Sequence, residues 1–162
     1  MKALVLIVFF VSSLTVVPDL SQIRTAYTNA SDSEKITNQL FDDLSSVDKK
    51  DNEILIAYKG AVSTLKAKYA KGIKTKKDYF KTGAELIEHA VRAKPRDIEI
   101  RCIRLSVQEN SPKVVRYKNN IEDDKEFILE NYRHVSSKEV REFIKNYVLQ
   151  SSVFELAEKQ LF

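Results

Sequence analysis

Residues 54–95 decide the fold of this chain, and they read ILIAYKGAVSTLKAKYAKGIKTKKDYFKTGAELIEHAVRAKP. Apolar residues recur three or four positions apart on both sides of Gly72, which is the spacing of a helix face. The first stripe consists of Ile54, Leu55, Tyr58, Ala61, Val62, Leu65 and Tyr69, and the second of Tyr79, Phe80, Gly83, Ala84, Ile87, Ala90 and Val91. Gly72 is well placed to end the first helix, and Pro95 stops the second. The pattern predicts two long consecutive helices.

Gly60 and Gly83 fall near the middles of these two helices. A glycine inside a helix costs about 1 kcal/mol relative to alanine. A close approach between the helices, which small residues permit, compensates for that cost. We therefore predict an antiparallel helix pair that touches at Gly60-Ala61 and Gly83-Ala84.

The same helical periodicity extends along the rest of the chain. It predicts further helices in residues 19–30, 34–47, 98–107, 120–134 and 136–148. Ser31-Asp32-Ser33-Glu34 and Ser136-Ser137-Lys138-Glu139 have the spacing of capping boxes, whose first serine would cap the helix. Other candidate caps are Asp48, Asp51 and Thr75-Lys76-Lys77-Asp78. Only three Gly and three Pro occur, which disfavours a fold built from many hairpins. We predict an all-α protein, a helical bundle or array of about six to seven helices.

Residues 98–107 are the ambiguous segment of this prediction. Their apolar residues alternate with one slip, as in a strand, but Ile98, Cys102 and Leu105 also share one helical face. No second convincing strand exists to pair with the segment, and a lone strand is not stable. We therefore predict a helix that ends at Asn110-Ser111-Pro112, followed by a loop over residues 113–119.

Residues 1–17 have the pattern of a secretory signal peptide. An apolar stretch from Ala3 to Val11 follows a single lysine, and it is shorter than the roughly 20 residues that span a bilayer. No Ala-x-Ala triplet marks a cleavage site, so we place the boundary between Ser13 and Leu20. A buried N-terminal helix and a retained membrane anchor are the alternatives. We expect residues 18–162 to form a single helical domain of an exported protein, either periplasmic or secreted.

The charge of the chain does not indicate a nucleic-acid partner. Lys2 is one of 27 basic residues, against 23 acidic ones, so the chain beyond the signal carries a net charge of +3. Both signs are interspersed, which is typical of a solvated surface. The densest basic run extends from Lys66 to Lys77. We expect it to solvate a helix end and the turn after it, with contact to anionic lipid as the alternative.

The signatures of common enzyme classes are missing from the sequence. There is no Gly-x-Gly-x-x-Gly or Walker-type loop and no Gly-x-Ser-x-Gly elbow. Glu85 and His89 lie four residues apart, as two metal ligands on a helix would, but an ordinary surface contact is favoured. Cys102 lies in an apolar segment and is expected to be a buried, inert thiol. We expect no catalytic residue, no metal and no cofactor.

We therefore expect a non-catalytic protein that binds a protein or peptide partner through a groove or a loop. The candidate binding residues gather towards one end of the 98–107 segment and in the loop after it: Arg101, Arg104, Gln108, Asn110 and Tyr117. Tyr117 lies among basic and apolar residues, a composition that suits partner recognition, although a plain connecting loop is the alternative. The alternative function is a membrane-tethered envelope protein, held by an uncleaved N-terminus.

Residues 58–95 resemble a tetratricopeptide-like helical hairpin. In such repeats small residues lie where two helices cross, and the second helix ends with an alanine followed five residues later by a proline. Gly60, Gly83, Ala90 and Pro95 fill those positions here. The first helix is about eleven residues too long for the repeat, and no second copy follows at the period of about 34 residues. The resemblance implies a helical hairpin.

The whole chain also resembles a group of uncharacterised exported bacterial proteins. The segments that carry this resemblance are Asp19–Arg24 (DLSQIR), Ala57–Ala61 (AYKGA) and Arg101–Pro112 (RCIRLSVQENSP). It implies export and a helical fold, and it implies no activity.

Overall fold

A computed structural model describes residues 18–162, which form eight α-helices. The helices are α1 (Leu20–Ala30), α2 (Glu34–Asp43), α3 (Glu53–Tyr69), α4 (Ile73–Ala93), α5 (Ile98–Asn110), α6 (Ile121–Asn131), α7 (Lys138–Gln150) and α8 (Leu156–Lys159). Single 3-10 turns lie at Lys113–Val115 and Tyr132–His134. Residues 18–162 contain no strand, so the predicted all-α class is confirmed.

Helices α3 and α4 form the most extensive helix–helix interface of the described residues. Their backbones meet at the two glycines: a Cβ built on Gly60 would lie 2.6 Å from the carbonyl oxygen of Gly83. A Cβ built on Gly83 would overlap the carbonyl oxygen of Gly60 and lie 2.7 Å from Thr64 Cγ2. The predicted contact of the two helices at these glycines is therefore confirmed.

The turn between α3 and α4 differs from its prediction. α3 ends at Tyr69, and Gly72 connects the helices with a φ of 82°, a conformation that costs glycine little. α4 begins immediately after it at Ile73, so the predicted start at Thr75-Lys76-Lys77-Asp78 is wrong. No side chain caps this helix.

The helix caps are shifted from most of the predicted positions. In both capping boxes the second serine caps the helix, so Ser33 and Ser137 accept the amides of residues 36 and 140, each at 3.3 Å. α3 is capped by Asn52 rather than by Asp48 or Asp51, which bond backbone amides within the preceding turn. In each case the residue adjacent to the first helical turn is the one that reaches the free amides.

Helix α5 lies at the centre of the fold and packs against α3, α4, α6 and α7. Because α5 spans Ile98–Asn110, the predicted helix over residues 98–107 is confirmed. Its buried residues face several neighbours and include polar ones: Glu99, Ile100, Cys102, Ile103, Arg104, Leu105, Val107 and Gln108. A helix surrounded in this way has no single apolar stripe, which explains why its periodicity was ambiguous.

The buried apolar residues of α1 to α7 form one continuous cluster, which extends to Phe154 before α8. Cys102 lies inside it as a free thiol, and burial raises its pKa well above the ordinary value. The thiol is therefore held in its neutral form, as expected.

None of the helices in residues 18–162 combines the length and the apolar composition needed to cross a membrane. The predicted signal peptide over residues 1–17 lies outside the described residues.

Candidate functional site

A cleft of about 1750 Å³ opens on one side of the molecule. Its walls come from one face of α4 and the C-terminal part of α3, from the end of α1 and the turn after it, from the C-terminal half of α5, from the α5–α6 loop (residues 111–120) and from α7. The lining combines an aromatic and apolar floor with lysines at the edge. The floor includes Tyr27, Leu65, Phe80, Ala84, Tyr117 and Phe143.

Two of the predicted binding residues, Arg101 and Arg104, hold α5 to α6. Arg104 donates two hydrogen bonds to the carboxylate of Asp124, at 2.7 and 2.8 Å, and one at 3.2 Å to Glu88 on α4. Arg101 forms a second ion pair with Asp124, and its guanidinium lies 4.8 Å from the centre of the Phe127 ring. Asp124 is fully buried and Arg104 is 4% exposed, so this cluster is an internal cross-link between three helices.

Gln108 and Tyr117 fix the α5–α6 loop. The fully buried Gln108 accepts the backbone amide of Asn120 at 3.1 Å and donates to its side chain at 3.3 Å. The Tyr117 hydroxyl donates to Glu88 at 2.7 Å, and its ring meets Phe80 edge-to-face at 5.9 Å. Burial and then the Glu88 carboxylate raise the pKa of Tyr117 well above its ordinary value. The loop is therefore anchored at Tyr117 and at Asn120.

Of the five predicted binding residues, Asn110 and Tyr117 line the cleft. Asn110 is exposed and donates to the carbonyl of Ser106 in its own helix at 2.9 Å. Arg104 and Gln108 are buried and therefore inaccessible to a partner in this structure. Arg101 points towards α6, where it pairs with Asp124. Arg101 and Arg104 thus share Asp124, and Arg104 and Tyr117 share Glu88. These contacts hold together the helices and the loop behind the cleft.

Sequence reasoning missed the acids that engage these side chains. Asp124 follows Glu122 and Asp123 at the start of α6, where acids suit the helix dipole, yet it lies three residues after Ile121 and four before Ile128, on the buried face of the helix. An acid at such an apolar position is a signal of a buried ion pair, because isolated charge is not tolerated there. Glu88 gives a similar signal, since it lies four residues after Ala84 and three before Val91 in the apolar stripe of α4.

Behind the cleft, Glu99 joins α1, α3 and α5. Its carboxylate accepts hydrogen bonds from Arg24 at 2.7 and 2.9 Å and from the Tyr58 hydroxyl at 2.8 Å. Burial and the adjacent Glu99 raise the pKa of Tyr58 well above its ordinary value. Tyr27 lies beside this network and its hydroxyl is 3.1 Å from Ser106 Oγ. Burial raises the pKa of Tyr27 to about 12.

At the other end of the cleft, Glu109 holds the C-terminal segment against α5. Its carboxylate accepts bonds from the hydroxyls of Tyr147, Ser151 and Ser152 and from the Ser152 amide, at 2.7 to 2.9 Å. Burial opposes ionisation of Glu109, but these hydrogen bonds together outweigh it and lower the pKa. Glu109 therefore stays ionised, with its oxygens occupied by neutral donors of the fold.

Two strongly exposed apolar side chains line the cleft. Ile73, at the start of α4, is 78% exposed, and Val114, in the α5–α6 loop, is 82% exposed. Four lysines of α3 and α4 line the same cleft: Lys68, Lys76, Lys77 and Lys81. This combination of exposed apolar groups and positive charge in a concave surface is the feature of the molecule most suited to recognition.

Residues 18–162 contain no group of three or more His, Cys, Asp or Glu side chains that could hold a metal ion. Comparison with protein-family models, with curated proteins and with solved structures finds no match to this chain. The resemblances to tetratricopeptide-like hairpins and to exported bacterial proteins stay predictions.

Proposed function

We propose that this chain is a non-catalytic binding module that accepts a segment of another protein, or a peptide, in the cleft beside α4. The observation that carries the proposal is that Ile73 and Val114 are both strongly exposed and both line this cleft, because exposed apolar groups in a concave surface suit the binding of a partner. An inserted segment would remove both from water at once.

The rigidity of the cleft walls supports the proposal. The α5–α6 loop is tied to α4 through Tyr117 and Glu88, and to α5 through Gln108 and Asn120. A wall held in place before binding loses little conformational freedom when a partner arrives. The predicted residues Arg101 and Arg104 contribute to recognition in this proposal by positioning the wall, while Asn110 and Tyr117 line the cleft.

A random peptide library displayed on phage tests the proposal. We expect the wild-type protein to select peptides whose binding is lost in an Ile73→Glu/Val114→Glu variant. The matched control is Leu156→Glu, which changes an 83% exposed apolar residue that does not line the cleft. All three positions are exposed, so each change should alter the free energy of unfolding by less than about 0.5 kcal/mol. Selected peptides that bind the double variant as well as the wild type would contradict the proposal.

A second candidate function is a membrane-tethered envelope protein, and the start of α4 supports it. Every residue from 71 to 78 is exposed, and four of these eight are lysines. Such a segment suits an anionic lipid surface. We propose export for both functions, on the apolar run of residues 3–11. The intact mass of the mature protein separates them: a mass that still contains residues 1–17 supports tethering, and its absence supports the free binding module.

A further inference from the structure

The two chain segments that supply Ile73 and Val114 carry the same sign of charge. Residues 71–78, which supply Ile73, contain four lysines and one aspartate, and residues 113–118, which supply Val114, contain three basic residues and no acid. Apart from Tyr117 and Val115, these residues are exposed. Both exposed apolar side chains are therefore embedded in positive surface.

Six basic side chains line the cleft against five acidic ones, so a small excess of positive charge remains. Among the acids, Glu88 is engaged by Tyr117 and Arg104, and Glu85 pairs with Lys81. The ion pairs among residues 18–162 leave Lys76 and Lys77 without an acidic partner. Since like charges crowded at one edge repel each other, a negatively charged occupant would relieve this repulsion as well as pair with the lysines.

We infer that the occupant of the cleft is an acidic segment of a protein that also carries apolar side chains, an inference that rests on the proposed binding function. The carboxylates meet Lys76 and Lys77 near the start of α4, and the apolar side chains cover Ile73 and Val114. The first turn of α4 has no side-chain cap, so its backbone amides add a further attraction for a carboxylate. The concave shape selects a chain segment over a flat lipid surface.

Three synthetic peptides of equal length test this inference in fluorescence-anisotropy titrations with the purified protein. The first is amphipathic with Glu and Leu, the second has every Glu replaced by Lys, and the third has every Leu replaced by Ser. We expect the first to bind at least about tenfold more tightly than either of the others, with an affinity that falls as NaCl is raised. Equal or tighter binding of the lysine peptide would overturn the inference.

Charge reversal on the protein provides a second test of the inference. The variant Lys76→Glu/Lys77→Glu should weaken binding of the acidic peptide at least about tenfold. Lys35→Glu/Lys50→Glu makes the same change in net charge at exposed positions outside the cleft, and it should alter the affinity less than about twofold. If both variants lose the same affinity, the peptide responds to overall charge, and the inference is wrong.

The library selection distinguishes failure of the acidic-partner inference from failure of the proposed binding function. If selected peptides are basic or neutral and are lost in Ile73→Glu/Val114→Glu, the binding function stands and the acidic partner is excluded. If no selected peptide depends on the cleft, the proposed function fails and the inference with it. Vesicles of phosphatidylserine and phosphatidylcholine form the last arm. Binding to them through Lys76 and Lys77, without binding of the acidic peptide, would overturn the inference in favour of a lipid surface.

Discussion

Replacement of Gly83 tests the contact that organises the fold. At the crossing of α3 and α4, a Cβ on Gly83 would lie 2.7 Å from Thr64 Cγ2 and 3.0 Å from the Thr64 amide nitrogen, and nearer still to the carbonyl oxygen of Gly60. An ordinary contact begins at 3.4 Å. Two of these three atoms belong to the backbone of α3 and cannot rotate away. The helices must therefore separate to admit any side chain at position 83.

The expected cost follows from two opposing terms. Gly83→Ala gains about 1 kcal/mol of helix propensity. The overlap with α3 costs about 1 to 3 kcal/mol, as overpacking of a core does. We expect Gly83→Ala to lower the free energy of unfolding by about 1 kcal/mol, and Gly83→Leu by about 3 kcal/mol or more. For a chain of this size, the leucine variant should melt about 6 to 12 °C below the wild type.

Urea unfolding followed by circular dichroism at 222 nm measures these changes. The matched control is Thr82→Leu, which places the same side chain at the adjacent, exposed position of α4 and should change stability by less than about 0.5 kcal/mol. Gly60→Ala combined with Gly83→Ala should cost less than the two single changes together, because one separation of the helices accommodates both. A Gly83→Ala variant that is more stable than the wild type, or equal losses for Gly83→Leu and Thr82→Leu, would refute the close crossing.

Two further predictions concern buried polar groups. The Tyr27 phenol ionises near pH 10 in the unfolded chain but only at about pH 12 in the folded protein. Its contribution to the free energy of unfolding is therefore complete below pH 10 and declines as the pH rises towards 12. Over that window the wild type should lose about 2 to 3 kcal/mol more stability than Tyr27→Phe, measured by urea titration at each pH; parallel profiles would contradict this. Asp124→Asn should cost about 3 to 5 kcal/mol, because it leaves the buried Arg104 short of negative charge. Asp123→Asn, an exposed neighbour in the same helical turn, should cost less than about 1 kcal/mol, and a similar loss in both variants would show that Asp124 acts only on the helix dipole.

The helices could be predicted from the sequence wherever one face of each is buried. The stripes on both sides of Gly72 and the two mid-helix glycines are local signals with a tertiary cause, so the α3–α4 contact followed from them. Residues 98–107 were harder, because α5 is buried on several sides and the contrast that periodicity measures is weak. The absence of a partner strand decided that case.

The site was less accessible to prediction, because its residues interact across long separations. Polar side chains such as Arg104 and Gln108 are expected at the surface when only their neighbours in sequence are considered, yet their partners lie in α4, α6 and the loop between α5 and α6. The residues at the start of α4 are exposed because no other part of the fold covers them, and their local sequence does not show this. The cleft is formed by that arrangement, and no motif in the sequence marks it.

Mapping of amide chemical shifts on the labelled protein, titrated with a peptide that the wild type selects, tests most directly whether the cleft is the binding site. The account predicts that the perturbed amides cluster at the start of α4, in residues 106–117 and on the cleft side of α7, while α2 and α6 stay unchanged. It also predicts that Ile73→Glu/Val114→Glu abolishes the perturbations. Shifts concentrated on α2 or α6, or shifts that persist in this double variant, would contradict it.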